Sequence, residues 1–278
     1  MDYISTRGQT APVSSAQAIA TGIAPDGGLF VPGTLPRLGA AELSALAAMD
    51  YRGTARDILG RFLTDFLPAE ITTCVDTAYT AEKFGGDAIA PLRALGTDTD
   101  LLELWHGPTC AFKDMALQIL PHLVVEAMRK AGDRSELVIL VATSGDTGKA
   151  ALEGFRDVAG TRVVVFYPSG GVSEIQRLQM VTQEARNVHA LAVDGGDFDD
   201  AQRGVNALFG DSPFAARAAA TGLELSPATP INSGRPPPPP LSTLGRTRRP
   251  RRGRTPAPEA HGTGLPGRLP PKGAMTRT

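Results

Sequence analysis

The sequence predicts an α/β protein built around a parallel β-sheet, and three observations support this prediction. Short apolar segments at 137–142, 162–167 and 188–193 have the length and β-branched composition of buried strands. Stretches with helical spacing of apolar residues follow them, and strands that alternate with helices are typical of a parallel sheet covered on both faces. With 278 residues, of which 42% are hydrophobic, the chain can also bury a sizeable core.

The chain divides into three predicted regions. Residues 1–85 contain apolar residues at helical spacing and form a small, mainly helical N-terminal domain. Residues 86–226 hold the alternating strands and helices and form a second, α/β domain. Residues 227–278 are rich in Pro and Arg, with a run of five prolines at 236–240. We expect this tail to be disordered, because it has too few apolar residues to offset the entropy of ordering.

Individual elements can be predicted within these regions. In the N-terminal domain, apolar spacing indicates a helix that Pro68 ends and a second helix over about 70–83. In the α/β domain we expect a strand at 101–105 and a helix at about 111–130, kinked at Pro121. The remaining predicted helices follow the three buried strands, up to about 158, at 173–185 and at 197–209.

Composition argues against several classes of protein. The two cysteines, Cys74 and Cys110, have no paired spacing, and the four histidines show no ligand spacing, which argues against a disulfide scaffold and a zinc site. His106 could line a site, whereas His122 and His189 fit structural roles better. No apolar run is long enough to span a membrane, and no secretory signal is visible, so we expect a cytoplasmic protein.

Lys113 is the first candidate for chemistry. The residues before it, His-Gly-Pro-Thr at 106–109, shape a turn into a helix, so Lys113 should lie in the first helical turn. The positive end of the helix dipole and partial burial would both favour the neutral amine that Schiff-base chemistry requires. The alternative is a solvated surface lysine next to Asp114 as an acidic residue at the helix start.

A second candidate is the segment that follows the strand at 137–142. Its small residues allow a ligand to approach the backbone, and the N–H groups at the next helix start can hold a carboxylate or phosphate. The alternative is a helix start capped by Ser, Asp or Thr side chains. The segment consists of Ser144, Gly145, Asp146, Thr147 and Gly148.

Several separated segments carry a resemblance to a known family. They are 3–8 (Tyr-Ile-Ser-Thr-Arg-Gly), 22–32, 106–114, 143–148, 167–173 with Gln176 and Gln179, and 197–200. In this order, they resemble the bacterial threonine synthases over residues 1 to about 225. Matches at several positions in the right order are more specific than any single motif.

The resemblance implies the β-family, fold type II (tryptophan synthase β-like) architecture of pyridoxal phosphate (PLP) enzymes. It implies that Lys113 binds PLP and moves protons at the α and β carbons of the substrate. The loop from Ser144 to Gly148 would hold the cofactor and the substrate carboxylate, with Asp146 near the cofactor ring. The implied activity is that of a carbon–oxygen lyase acting on phosphates. It converts O-phosphohomoserine and water to threonine and phosphate, the last step of threonine biosynthesis.

The resemblance ends at about residue 226. Family members continue with a Gly/Asn-rich loop around the PLP phosphate and a later residue that faces the pyridine nitrogen, whereas here residues 226–235 lead into Pro and Arg. We therefore expect a chain that is truncated or frameshifted after about residue 226, with an incomplete catalytic domain. Lys149 also stands where the family usually has a small residue. The sequence identifies neither the oligomeric state nor the residues that bind the substrate phosphate.

Three alternatives remain. The chain could be another β-family PLP enzyme, or a catalytically inactive remnant without a stable PLP site. It could also bind nucleic acid through the arginines at 246–254, although no aromatic residues are interleaved there and nonspecific charge is the better interpretation. We expect a small-molecule substrate, no membrane association and no specific nucleic-acid partner.

Overall fold

A computed structural model describes residues 1–96 and 98–227 of the chain. The predicted disorder of the Pro/Arg-rich tail therefore concerns residues outside the described ones, and the domain boundaries at 85 and 226 remain predictions. Among the helices of the described residues, none has the length and apolarity needed to cross a bilayer.

The N-terminal region is mainly helical, with one small β-ribbon. Strands β1 and β2 pair antiparallel, with Ile4 opposite Val31. Asp50 accepts a hydrogen bond from the Gly53 N–H at 2.6 Å and so caps the start of α3. The elements are β1 (Tyr3–Ser5), α1 (Ser15–Thr21), β2 (Phe30–Pro32), α2 (Ala40–Ala48), α3 (Tyr51–Phe62), α4 (Pro68–Ala78) and α5 (Ala81–Phe84).

Pro68 has a different role from the one predicted. We expected it to end a helix, but α3 already ends at Phe62, and Pro68 is the first residue of α4. Proline suits this position because the first N–H groups of a helix have no partner within the helix. The predicted helix over about 70–83 is divided into α4 and α5, since Thr80 caps a separate helix start.

The segment that leads to Lys113 also differs from the prediction. Strand β4 (Asp100–Leu102) pairs antiparallel with β3 (Leu92–Ala94), so the expected strand at 101–105 belongs to a hairpin instead of the parallel sheet. The expected helix at 111–130 is two helices, α6 (Asp114–Leu117) and α7 (Leu120–Ala131). Pro121 lies in the first turn of α7, where its missing N–H breaks no helical hydrogen bond.

The parallel sheet has four strands in the order β7-β6-β5-β8 within the described residues. All three pairings are parallel, as predicted for the α/β fold class. Helix α11 and the edge strand β8 were not predicted. The elements are β5 (Glu136–Ala142), α8 (Asp146–Phe155), β6 (Thr161–Pro168), α9 (Glu174–Val181), β7 (Val188–Val193), α10 (Phe198–Gly210), α11 (Ser212–Ala220) and β8 (Leu223–Pro227).

Strand β5 shows how both faces of the sheet are covered. Alternate side chains along a strand point to opposite faces. Ile139 and Val141 join the largest core cluster, which also contains Val75 from α4. Val138 and Leu140 join a separate cluster with Val205 of α10. The near-continuous apolar composition of this strand is therefore explained by burial on both sides.

Candidate functional site

The carboxyl ends of β5 and β6 are the part of the sheet where the predicted site segments lie. Strand β5 ends at Ala142, and residues 143–145 lead into α8. Strand β6 ends at Pro168, and a short loop leads into α9. In open α/β sheets, ligands bind beyond these ends of the strands.

The loop before α8 is shaped by Thr143 and two glycines. The Thr143 hydroxyl oxygen accepts hydrogen bonds from the N–H groups of Gly145 at 3.0 Å and Gly148 at 2.9 Å. Gly145 has φ of +134°, and a Cβ there would lie 2.4 Å from the Gln176 side chain. Glycine is therefore required at this position, both for its backbone conformation and for space.

The start of α8 is capped only in part. The Thr143 hydroxyl binds the Gly148 N–H, whereas the N-cap residue Gly145 has no side chain that could bind the N–H groups of Asp146 and Thr147. N–H groups at a helix start favour an anion, because they are donors at the positive end of the dipole. The alternative interpretation of this segment, a helix start capped by Ser, Asp or Thr, therefore applies to the Gly148 N–H.

The five residues of the loop differ in exposure. Ser144 is exposed, Asp146 and Thr147 are half-buried, and the two glycines are buried. The segment thus presents its polar side chains at the surface of the site and keeps its glycines against the protein interior.

Lys113 lies directly before α6 with helical backbone angles, and its side chain is half-buried. Its Nζ is 4.5 Å from the centre of the Phe112 ring, a cation–π distance. Phe112 itself is 55% exposed, so the lysine lies at an accessible edge of the protein. Cys110, three residues earlier, is exposed and has an unusual φ of +56°.

Asp114 holds the Lys113 segment together. This carboxylate is fully buried and accepts hydrogen bonds from the Thr109 N–H at 2.9 Å and the Thr109 hydroxyl at 2.7 Å. Burial raises the pKa of Asp114 above its ordinary value, although the bonds from Thr109 and Ala111 and the charge of Lys149 act against the rise. The residue does more than mark a helix start, because it fixes the turn that precedes Lys113.

The two candidate segments lie within electrostatic range of each other. Partial burial acts to raise the pKa of Asp146. Hydrogen bonds from Gln176 and Lys149 act against it, as do the charges of Lys149 and Lys113. The net result is a pKa of Asp146 below its ordinary value. Asp146 is therefore an ionised carboxylate that interacts with Lys113. Gly154 of α8 also packs on α6, since a Cβ there would lie 2.0 Å from the Leu117 carbonyl oxygen.

Helix α9 contributes two glutamines to which the sequence alone assigned no role at the site. Gln176 Nε2 donates to Asp146 Oδ1 at 2.9 Å, while its Oε1 accepts from the Ser173 N–H at 3.2 Å. Gln179 Nε2 donates to the Thr109 carbonyl oxygen at 3.4 Å. The capping-box spacing of Ser173 and Gln176 was visible in the sequence, but it predicts only the helix start.

The sequence predicted no role for Lys149 at the site. Its side chain is only 8% exposed, and its Nζ lies 3.1 Å from Asp146 Oδ1. The ammonium therefore belongs to the same group of charges as Lys113, Asp114 and Asp146.

The histidines lie in different surroundings. His106 Nε2 is 2.7 Å from Glu103 Oε2, and its ring stacks on Trp105, in the loop just before Gly107. His122 is half-buried on α7 and His189 is exposed on β7. Within residues 1–96 and 98–227, no group of three His, Cys, Asp or Glu side chains could hold a metal ion.

Sequence comparison with known proteins finds threonine synthases and a threonine synthase-like protein. The family described as "Threonine synthase N terminus" matches residues 2–79. Threonine synthase of Pseudomonas aeruginosa is 41% identical over 215 residues, which are 77% of this chain and 45% of the relative. The human protein named "Threonine synthase-like 1" is 38% identical over 79% of this chain and 30% of its own length.

Solved structures agree with the sequence comparisons. The crystal structure of PLP-bound threonine synthase from Brucella melitensis superposes with a TM-score of 0.80 at 35% identity, covering 89% of this chain and 51% of that one. The yeast threonine synthase gives a TM-score of 0.78 at 32% identity, with 88% and 49% coverage. This chain thus spans about half the length of the threonine synthases it matches. The resemblance predicted from the sequence is confirmed: the chain is similar to threonine synthases over about half of their length.

Proposed function

We propose that this protein has threonine synthase-type chemistry, in which O-phosphohomoserine and water are converted to threonine and phosphate. The observation that supports this most directly is the meeting of two segments at one edge of the sheet. One carries the half-buried amine of Lys113, and the other carries the N–H groups of Asp146 and Thr147 at the start of α8, for which the N-cap residue Gly145 has no side-chain acceptor. An amine for covalent binding and an anion site beside it are what an enzyme acting on an amino acid through PLP requires.

The residues present fit the reactive end of PLP. Lys113 lies at an accessible edge beside Phe112, and the absence of a Cβ at Gly145 leaves the backbone of the loop open to close approach. We propose Lys113 as the residue that binds PLP covalently, and the loop of Ser144, Gly145, Asp146, Thr147 and Gly148 as the residues around it. PLP, when bound, supplies an electron-withdrawing ring that stabilises negative charge on substrate carbons.

The protein groups then have separate roles. The N–H groups at the start of α8 would bind the substrate carboxylate, which holds the α carbon in a fixed position. The Lys113 amine would take and return protons at the α and β carbons of the substrate. Asp146, held by Gln176 and Lys149, would provide a fixed negative charge near the cofactor.

The overall reaction is balanced with water as the second reactant. The bond between the γ carbon and the phosphate oxygen breaks, and phosphate leaves with that bonding pair and takes up the proton that water releases. The β carbon loses one hydrogen as a proton and gains the hydroxyl of water, while a proton is added at the γ carbon, which becomes the methyl group of threonine. This makes the protein a carbon–oxygen lyase.

Since both cysteines are unpaired thiols, we also propose the reducing cytoplasm as its compartment.

The test is covalent trapping of PLP on the full 278-residue chain. The protein is mixed with PLP, reduced with borohydride, and the modified lysine is mapped by mass spectrometry. We expect label at Lys113 that is lost in Lys113→Ala and retained in Lys130→Ala, a lysine that pairs with Glu70 away from the loop. Trapped protein is then assayed for phosphate release and threonine formation from O-phosphohomoserine.

An inactive remnant of the family is the second candidate, and the half-length match to the Brucella enzyme favours it. It predicts no label, or label spread over several lysines. Specific label at Lys113 without threonine formation would leave a PLP-binding protein and refute the proposed turnover. Turnover of a different amino-acid substrate would indicate another β-family PLP enzyme.

A further inference from the structure

Lys149 is a buried cation beside the candidate site, at the fourth position of α8. The whole residue is 7% exposed, and lysines are almost never this buried unless their charge is paired. Its backbone N–H donates to the Gly145 carbonyl oxygen at 3.2 Å, so Lys149 lies one helical turn after the N-cap residue of α8. The ammonium cannot be explained as a solvated surface charge.

The ammonium of Lys149 acts on two carboxylates, one from each site segment. It pairs at 3.1 Å with Oδ1 of Asp146, the first residue of α8. It also interacts electrostatically with Asp114, the buried carboxylate that follows Lys113. The Lys149 ammonium therefore interacts with one carboxylate from each of the two segments.

The charge balance of this group gives Lys149 a consequence for Lys113. Lys113 also acts on Asp146, so the group has two ammonium and two carboxylate charges when all are ionised. Without Lys149, the charge of Asp146 would act on Lys113 with no second cation to offset it, and this carboxylate would hold the Lys113 proton more tightly. A second cation beside a reactive lysine is a known way of favouring the neutral amine.

Other charged groups near Lys113 do not replace this contribution. Helix α9 contacts the two segments through the neutral amides of Gln176 and Gln179, while its charged residues Glu174 and Arg177 pair with each other at 2.7 Å. On the loop before Gly107, Glu103 pairs with His106 at 2.7 Å and lies 3.9 Å from Arg93.

We infer that Lys149 is a positioning residue whose buried ammonium neutralises Asp146 and Asp114, so that Lys113 can lose its proton and react as an amine. The inference deepens the proposed function and rests on Lys113 as the reactive residue of the site. It concerns the protein's own charges and can be measured without PLP.

The experiment follows the reactivity of Lys113 with pH in the full chain. The protein is labelled with a trace of isotopic acetic anhydride across a pH series, and labelling of each lysine is read by mass spectrometry. In Lys149→Met, the midpoint of Lys113 labelling should move up by about one pH unit, which is about a tenfold loss of reactivity below the midpoint. Lys149→Arg should restore the original midpoint, and Lys130 should be unaffected in all variants. An unchanged Lys113 midpoint in folded Lys149→Met would overturn the inference.

A second variant acts in the opposite direction and does not depend on Lys149→Met folding. Asp146→Asn removes one carboxylate while keeping the shape, so the Lys113 midpoint should move down. A midpoint that stays or rises in this variant would also overturn the inference. The proposed function is tested separately by PLP trapping: shifted midpoints without trapping would refute that function alone, and trapping with unshifted midpoints would refute the role of Lys149 alone.

Discussion

Gly107 lies so close to Asp114 that a Cβ at position 107 would be 2.4 Å from the Asp114 Cβ and 2.6 Å from its Oδ2. The carboxylate that organises the turn before Lys113 thus fills the space that a side chain at Gly107 would need. The buried position of the Asp114 side chain therefore depends on glycine at position 107.

Gly107→Ala should displace Asp114 and loosen the turn. Overpacking of a well-filled site typically costs about 1 to 3 kcal/mol, and the bonds from Thr109 to the displaced carboxylate would weaken as well. We expect a lower free energy of unfolding in urea and weaker PLP trapping at Lys113. Gly204→Ala is the control, because a Cβ there meets nothing within 4 Å and lies on helix α10. Equal stability of the two variants would contradict this account.

The parallel sheet was predictable from sequence because its strands are buried on both faces. Strand β7 has the predicted bounds, β5 begins one residue earlier than predicted, and β6 is longer by one residue at each end. Strand β8 could not be predicted from local composition, because Leu223 and Leu225 are its only large apolar residues. The strand is defined by its parallel pairing with β5. Pairing between distant segments leaves little trace in local composition.

The candidate site was predictable only in part, for a similar reason. Lys113 and the loop after β5 could be found because glycines and small polar residues mark turns and anion sites. The contacts of Gln176 with Asp146 and of Gln179 with Thr109 could not be predicted. They depend on how α9 is placed against α8 and the Lys113 segment, which local patterns do not specify. The pair of Lys149 with Asp146 has i,i+3 spacing within α8, so only its burial depends on the rest of the fold.

Gly145→Ala tests the shape of the loop before α8. The backbone at +134° is unfavourable for any other residue, and the added Cβ would lie 2.4 to 2.6 Å from the Gln176 amide that binds Asp146. We expect PLP trapping at Lys113 to fall at least tenfold, which corresponds to about 1.4 kcal/mol. Gly170→Ala, in the next loop and with no atom within 4 Å of its Cβ, should trap PLP like the unmodified protein. Normal trapping in Gly145→Ala would remove this loop from the site.

Gln118 is a buried amide whose replacement should stabilise the fold. It follows α6, is fully buried, and neither its Nε2 nor its Oε1 finds a partner among the residues that the structure describes. Leaving such a group unsatisfied costs about 1 to 3 kcal/mol. Gln118→Met, of similar length, should therefore raise the free energy of unfolding in urea by about 1 kcal/mol. Gln118→Glu should lower it, because it buries a charge. Destabilisation by Gln118→Met would mean that the amide is bonded in solution.

Helix α9 and strand β7 expose an apolar surface formed by Ile175, Leu178 and Leu191. Their exposures are 72%, 43% and 48%, and β7 is an edge strand of the sheet within the described residues. Because exposed edges and apolar patches promote association, we expect the chain to self-associate at micromolar concentration. Ile175→Lys combined with Leu191→Lys should reduce the mass measured by light scattering. Leu35→Lys is the control, since Leu35 is 73% exposed in the N-terminal region. A monodisperse unmodified chain, or an equal effect of the control, would contradict the expectation.

His122 should make the stability of the fold depend on pH below neutrality. Burial, and then the nearby charge of Lys83, lowers the pKa of His122 from 6.5 to about 4. Between these values the unfolded chain binds the proton and the folded chain does not, so stability falls as the pH drops from about 6.5 to about 4. After allowance for partial solvent access, the loss attributable to His122 should be about 1 to 2 kcal/mol. Urea unfolding across this range should show a weaker pH dependence in His122→Gln and an unchanged one in His189→Gln, the exposed histidine of β7. An identical pH dependence in all three proteins would mean that His122 is protonated in the folded state.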